Sequence, residues 1–216
     1  MATPVPTSRG ALIAIEGLDR AGKSTQCDLL MERLQREGKK ARLQKFPDRT
    51  TTIGKMIDSY LKSTSQLDDH AIHLLFSANR WELAAKILAD VNEGWTIIMD
   101  RYVYSGVVFS AAKGLGYEYC RTPDTGLPRP DAVIFLDLSA ADAAKRGGFG
   151  EERYEVPKMQ RRVREMFQFM MEDVRDEGDW KVLDAGKSVE EVQGEIWGLV
   201  EKAEEFAKGT GLRSIA

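Results

Sequence analysis

Apolar residues in this chain come in two patterns that alternate along it. The first is a short run, unbroken in some stretches and mixed with polar residues in others. Ala11-Leu12-Ile13-Ala14-Ile15-Glu16 reads as a buried strand, and Ala41-Arg42-Leu43-Gln44-Lys45-Phe46 as a second strand cut off by Pro47. Thr96-Ile97-Ile98-Met99-Asp100 is a short apolar strand ending in a carboxylate. Val133-Ile134-Phe135-Leu136 is apolar throughout, as expected of a central parallel strand covered on both faces. Lys181-Val182-Leu183-Asp184 reads as the last strand. The second pattern has helical spacing. Leu29, Leu30 and Leu34 share one side of a helix over Thr25 to Arg36, and Ile53 to Leu61 reads as another. Ala71 to Ala89 is stronger, with Ile72, Leu75, Phe76, Trp81 and Ile87 mostly three or four apart, until Gly94 breaks it. Ser188-x-x-Glu191 is a capping box that opens the final helix. Strands separated by such helices predict an α/β fold, a five-stranded parallel sheet in a three-layer αβα sandwich, with the ligand site at the carboxyl ends of the strands. The tail Gly209 to Ala216 is expected to fray.

Between the first strand and the first helix lies Gly17-Leu18-Asp19-Arg20-Ala21-Gly22-Lys23-Ser24, a complete G-x-x-x-x-G-K-S loop. Strand, glycine loop and helix together form the context that marks a phosphate-binding loop, and so the P-loop NTPase fold. Glycines let backbone N–H groups turn inward, and the helix points its positive end at the same spot. Lys23 adds a mobile charge for the β- and γ-phosphates of a donor, and Ser24 a hydroxyl for Mg²⁺.

The 216 residues suggest one domain, or one with an inserted lid. A net charge of −3 argues against general nucleic-acid binding, so any anion site must be a local cluster. Cys27 and Cys120, far apart in sequence, suggest a reducing compartment rather than a disulfide framework. Met1 to Arg9 has no apolar core for a secretory signal, and no apolar run is long enough to span a bilayer. The expected compartment is the cytoplasm, with the nucleus open as a second.

Phosphoryl transfer needs positioning and charge neutralisation more than a strong base. Arginines at strand ends are therefore the first candidates. Phe46-Pro47-Asp48-Arg49 ends the second strand and Asp100-Arg101-Tyr102 the third, while Arg20 lies in the loop itself. Guanidinium groups suit bidentate binding of phosphate oxygens. A lone strand-end arginine is usually solvated or salt-bridged. Two of them, at successive strand ends around a phosphate loop, favour function. Asp100 is placed to hold Mg²⁺ directly or through water. Gly147-Gly148-Phe149-Gly150 reads either as a surface turn or as a mobile lid carrying Lys145, Arg146 and Arg153 over the phosphates. His70 and His73 lack a third ligand and read as surface or packing imidazoles. Phe76 and Trp81 read as core by composition, and Cys27 as a small core residue.

These residues resemble the thymidylate kinases of the nucleoside monophosphate kinase group, from about Gly10 to about Lys187. The loop with its Asp19 and Arg20 is similar to the family's, as are Phe76-Ser77-Ala78-Asn79-Arg80-Trp81-Glu82, Asp100-Arg101-Tyr102 with Ser105-Gly106, Pro123 to Pro128, and Phe149 to Glu155. Arginine in the loop resembles the eukaryotic-like class. Asp48 stands where the family's segment has Glu, which puts any support it gives Arg49 in question.

The resemblance implies a single domain over 1–216 with a lid at about 145–156. It implies an ATP-dependent dTMP kinase, which moves the γ-phosphoryl of ATP to dTMP for dTTP biosynthesis. Asp19, Arg20, Lys23 and Arg101 would be catalytic. Arg20, Ala21, Gly22, Lys23, Ser24 and Thr25 would bind ATP, with Arg146 and the Lys187 region flanking adenine. Mg²⁺ would accompany ATP at Ser24 and Asp100. Arg49 and Arg101 would hold the acceptor phosphate, Phe46 would line the acceptor site, Phe76 would stack on thymine, and Arg80 would bond its carbonyl edge. Asp19 would engage the 3′-hydroxyl. Phe109 and Tyr154 would pack around the sugar, and Ser105, Gly106 and Gln160 would complete the pocket. A homodimer through Ile53–Leu61 and Ala71–Ala89 is implied as well, with small nucleotides, not nucleic acid or membrane, as the other partners.

Two other readings remain on the sequence. A deoxynucleoside kinase would need a general base at the 5′-hydroxyl and no acceptor-phosphate arginines. A GTPase switch would need a downstream D-x-x-G and an N-K-x-D. The only D-x-x-G is Asp19 to Gly22, and neither Asn79 nor Asn92 precedes a lysine.

Overall fold

The structure is a computed structural model that describes residues 8–146, 152–173 and 180–216. Five strands, β1 (Leu12–Gly17), β2 (Ala41–Lys45), β3 (Thr96–Asp100), β4 (Ala132–Asp137) and β5 (Trp180–Asp184), form one sheet in the order β2-β3-β1-β4-β5. All four pairings are parallel. The helices are α1 (Lys23–Arg36), α2 (Thr52–Leu61), α3 (Asp69–Asn92), α4 (Val103–Ala111), α5 (Tyr117–Arg121), α6 (Ala140–Lys145), α7 (Pro157–Met171) and α8 (Val189–Lys208).

The two-residue period of the central strand sorts its side chains into two cores. Ala11, Ile13 and Ile15 pack with Cys27, Leu30 and Leu34 of α1 and Ile196 and Val200 of α8. Leu12 and Ala14 pack with Ile87 of α3, Val107 and Val108 of α4, and Phe167 of α7. A smaller cluster joins α2, through Ile57 and Tyr60, to Ile72 of α3 and to Tyr154. The result is the expected P-loop NTPase sandwich of helix, parallel sheet and helix. Because β1 lies between β3 and β4, the chain reverses its direction of winding beside β1, and the loop after β1 opens at that crevice.

All five expected strands are present, with no end shifted by more than one residue. The helix expected over Ala71 to Ala89 is longer, because Asp68 caps it by accepting from the His70 amide at 2.8 Å. The Ser188–Glu191 capping box is formed. The tail does not fray. Ile215 is buried, its amide and carbonyl bond Leu127 and Gly126, and Ser214 bridges Pro128. Arg9 anchors the same end, with Nε on the Thr210 carbonyl at 2.8 Å and a two-pronged bond to buried Asp131. Trp81 also departs from expectation. It is exposed, with its indole N–H on the Pro123 carbonyl at 2.8 Å, whereas Phe76 sits half-buried beside the small third core.

Candidate active site

Gly22 starts α1 in the left-handed region, at φ 88°, a conformation open to glycine at little cost. The turn brings the helix amino end under the loop. Lys23 is buried and donates to the Leu18 carbonyl at 2.6 Å. Burial, and Arg101 after it, pull the Lys23 ammonium down to about 8, against the pull of Asp19, Asp100 and Glu16. The Ser24 hydroxyl donates to Asp100 Oδ2 at 2.7 Å across the β1–β3 boundary. Asp19 faces the other way. Burial pushes its carboxyl up, but Arg101, Lys23 and Gln160 more than offset this and hold it below the usual range. Arg101 itself has φ 67°, and this bend aims its guanidinium back over the loop, onto Asp19, the Gly17 carbonyl and Ser105 Oγ.

Two cavities meet at Asp19, Arg49 and Arg101. The larger, about 1140 Å³, is lined by Arg20 to Gln26, Asp100, Arg146, Ala185 and Lys187. The smaller, about 150 Å³, is lined by Phe46, Phe76, Arg80, Ser105, Gly106, Phe109 and Tyr154. Every expected nucleoside-pocket residue except Gln160 therefore borders the smaller cavity. Gln160 stands behind it. Its Nε2 donates to Asp19 Oδ2 at 2.6 Å and to the Tyr154 carbonyl at 3.0 Å, and its Oε1 accepts from the Asp19 amide. Arg80 is fixed by buried Asp124, which takes its Nε at 3.1 Å, its Nη2 at 2.6 Å and the Ser77 hydroxyl at 2.7 Å. Gly106 lies directly against that guanidinium, where a Cβ would come within 2.7 Å of it.

The arginine of the second strand end is not supported by Asp48. The Asp48 carboxylate accepts from Thr50 N and Oγ1, closing its own turn. Arg49 instead pairs with Asp58 and Glu152, each at 2.7 Å. The turn is held by buried Asn79, whose Oδ1 accepts from the Asp48 amide at 2.7 Å and whose Nδ2 donates to the Asp48 carbonyl at 3.2 Å.

The lid reading is corrected in part. Gly147 to Gly150 lie outside the described residues. Arg146 does face the larger cavity, bonding the carbonyls of Ala185 at 2.7 Å and Arg20 at 3.1 Å. Arg153 does not. It donates to the carbonyls of Tyr60 and Ser65 and to Gln66, with its guanidinium 4.1 Å from the Tyr60 ring centre. There it serves the carbonyl-rich end of α2, which favours a cation. Lys145 pairs with Asp142 in solvent. The acidic residues of this segment were missed: Glu155 lies 3.5 Å from Arg20, and Glu152 sits on Arg49. Glu16 was missed too, although a carboxylate closing an otherwise apolar strand was a visible signal. His70 is exposed and His73 buried on Ser110 Oγ at 2.8 Å, and among the described residues no three His, Cys, Asp or Glu cluster as a metal site.

A phosphate loop at the sheet's switch point, with a donor-sized cleft and an arginine-gated second pocket, defines a P-loop phosphotransferase acting on nucleotides. The family model described as thymidylate kinase matches residues 15–196, and the chain belongs to the thymidylate kinase family. The thymidylate kinase of Schizosaccharomyces pombe is 56% identical over 194 residues, 89% of this chain and 92% of that protein. The thymidylate kinase of Homo sapiens is 50% identical over 196 residues, 90% of this chain and 92% of that protein. A solved structure of thymidylate kinase from Candida albicans superposes with a TM-score of 0.86 at 38% identity, covering 96% of this chain and 99% of that one.

Proposed function

We infer that this enzyme is a dTMP kinase that transfers the γ-phosphoryl group of ATP to dTMP, giving dTDP and ADP for dTTP biosynthesis. One observation carries the reading beyond family membership. Arg49 and Arg101 border both cavities, where an acceptor phosphate from the smaller one would meet a donor held by the loop.

The donor phosphates would lie along Ala21 to Thr25, neutralised by Lys23 and by the helix amino end. Adenine would lie between Arg146 and Lys187, which both line the larger cavity. Arg49 and Arg101 would grip the acceptor phosphate in line with the donor, and Arg20 would stabilise charge on the group in transit. Thymine would rest on Phe76 with its carbonyl edge toward Arg80, and the sugar would lie between Asp19, Phe109 and Tyr154. The acceptor is already anionic, so no strong base is required. Ser24 and Asp100 offer hard oxygens 2.7 Å apart, a donor set suited to Mg²⁺ that keeps several waters. Those two residues would hold it, Asp100 directly or through water, and it would screen charge on the β- and γ-phosphates.

Residues 145–156 act as the lid, with Arg146 on the donor side and Tyr154 on the acceptor side. The protein works as a homodimer through α2 and α3. In support, Leu74, Trp81 and Leu88 are exposed at seven-residue spacing along α3, and Met56 is exposed on α2. The working compartment is the cytoplasm, with the nucleus as a second. Both cysteines are free and buried, and among the described residues no helix is long and apolar enough to cross a membrane.

The test is product analysis with ATP and either thymidine or dTMP as acceptor. Formation of dTDP from dTMP, with thymidine left unphosphorylated, is expected. Phosphorylation of thymidine alone would return the deoxynucleoside-kinase reading.

A further inference from the structure

Glu16 is a carboxylate with no solvent exposure at the end of the central strand. It continues the row of Leu12 and Ala14, at a position where an apolar side chain would be the ordinary choice. A buried carboxylate without partners is strongly unfavourable, so its partners are informative. Its Oε1 accepts from the Tyr102 amide at 2.8 Å and the Ser105 amide at 3.2 Å, and its Oε2 accepts from the Ser105 hydroxyl at 2.5 Å. Tyr102 is the N-cap of α4 and offers no side-chain cap of its own. Its amide and that of Ser105 are the two that a capping box satisfies. A single residue of a distant strand therefore caps this helix.

The cap is continuous with the site. A serine hydroxyl has one proton. At Ser105 that proton goes to Glu16, which leaves the oxygen free to accept from Arg101 Nη1 at 3.0 Å. Arg101 precedes the N-cap and carries the left-handed backbone, so Glu16 fastens the bend on both sides. It holds the next amide directly and the guanidinium through Ser105.

We propose that Glu16 is a positioning residue for the acceptor phosphate, setting the Arg101 guanidinium through Ser105 and the α4 cap. This rests on the reading of Arg101 as a phosphate-binding residue. Glu16→Gln keeps the shape and can still accept from both amides, but it presents an N–H to the Ser105 oxygen that Arg101 uses. The Arg101 guanidinium then loses its fixed direction, while Phe76 and Arg80 are untouched.

Calorimetry with dTMP and with thymidine tests this on the parent, Glu16→Gln, Ser105→Ala, Arg101→Ala and the Glu16→Gln/Arg101→Ala double variant. Glu16→Gln should weaken dTMP about tenfold, leave thymidine within about twofold, and add nothing once Arg101 is gone. Ser105→Ala retains both amide bonds but removes a hydroxyl that also borders the nucleoside pocket, so it should weaken dTMP clearly more than thymidine, and it carries the test if Glu16→Gln does not fold. Equal losses for both ligands, or a loss that persists in the Arg101→Ala background, would overturn the proposal. If Arg101→Ala itself fails to discriminate dTMP from thymidine, the reading of Arg101 falls and the proposal with it. If Arg101→Ala discriminates and Glu16→Gln does not, the proposal alone falls.

Discussion

Asp124→Asn probes how the base pocket is built. In the parent, one carboxylate takes Arg80 Nε, Arg80 Nη2 and the Ser77 hydroxyl, with both ion-pair side chains at most 3% exposed. Removing one partner of a buried pair costs about 3–5 kcal/mol, because the remaining charge stays buried. Asparagine keeps one acceptor oxygen, so the lower end applies, at about 3 kcal/mol. For a chain of this size that corresponds to a fall in melting temperature of roughly 6–12 °C. Arg80 would also lose its fixed direction against Gly106, and dTMP binding should weaken with it. The double variant Asp124→Leu/Arg80→Met separates the two effects. Replacing a buried pair with apolar residues is often neutral, so stability should largely return while dTMP affinity does not. Thermal melts and dTMP titrations on the parent, single and double variants make the comparison. A loss below about 1 kcal/mol in Asp124→Asn, or full dTMP affinity in the double variant, would refute this account of Arg80.

Three further outcomes are expected. Arg49→Ala and Arg101→Ala should each weaken dTMP by ~1.5–3 kcal/mol and thymidine much less, whereas Phe76→Ala should weaken both alike; equal losses for the two ligands in the arginine variants would move those arginines out of the acceptor site. Arg20→Gly should lower kcat by up to ~10³-fold with substrate affinities little changed, since of the two other candidate lid arginines Arg153 is engaged at the end of α2 and Arg146 alone faces the donor cavity; an unchanged kcat in the folded variant would remove Arg20 from the chemistry. Burial and Arg101 lower the Lys23 ammonium to about 8, and bound phosphates favour its charged form, so ATP affinity is full below that pH and declines as pH rises through it; calorimetry near pH 8 in two buffers should show proton uptake that is absent near pH 6, and no uptake at either pH would contradict the assignment.

The phosphate loop was legible because its sequence specifies local geometry, and its flanking strand and helix could be checked beside it. Strands β1, β3 and β4 were legible because central parallel strands are apolar on both faces, whereas the edge strands β2 and β5 carry charged residues and show only short apolar stretches. Helix α4 was not. Val103 to Ala111 is rich in β-branched and aromatic residues and is buried on most sides, so it shows no polar face to set a helical period. The order of the tail depends on Arg9 and on Gly126 to Arg129, far away in sequence, and no local pattern announces that. Arg153 was misread for a related reason: a cation near a glycine loop suits either phosphates or a helix carboxyl end, and only packing against Tyr60 decides. The nucleoside-pocket residues were reached through family resemblance, since no spacing rule brings Phe76, Ser105 and Tyr154 to one cavity.

The central claim is tested most directly by kcat/KM for a panel of natural nucleoside monophosphates with ATP and Mg²⁺. The account predicts that dTMP gives the highest value, with dTDP and ADP formed in equal amounts. A higher kcat/KM for any other natural monophosphate would contradict it.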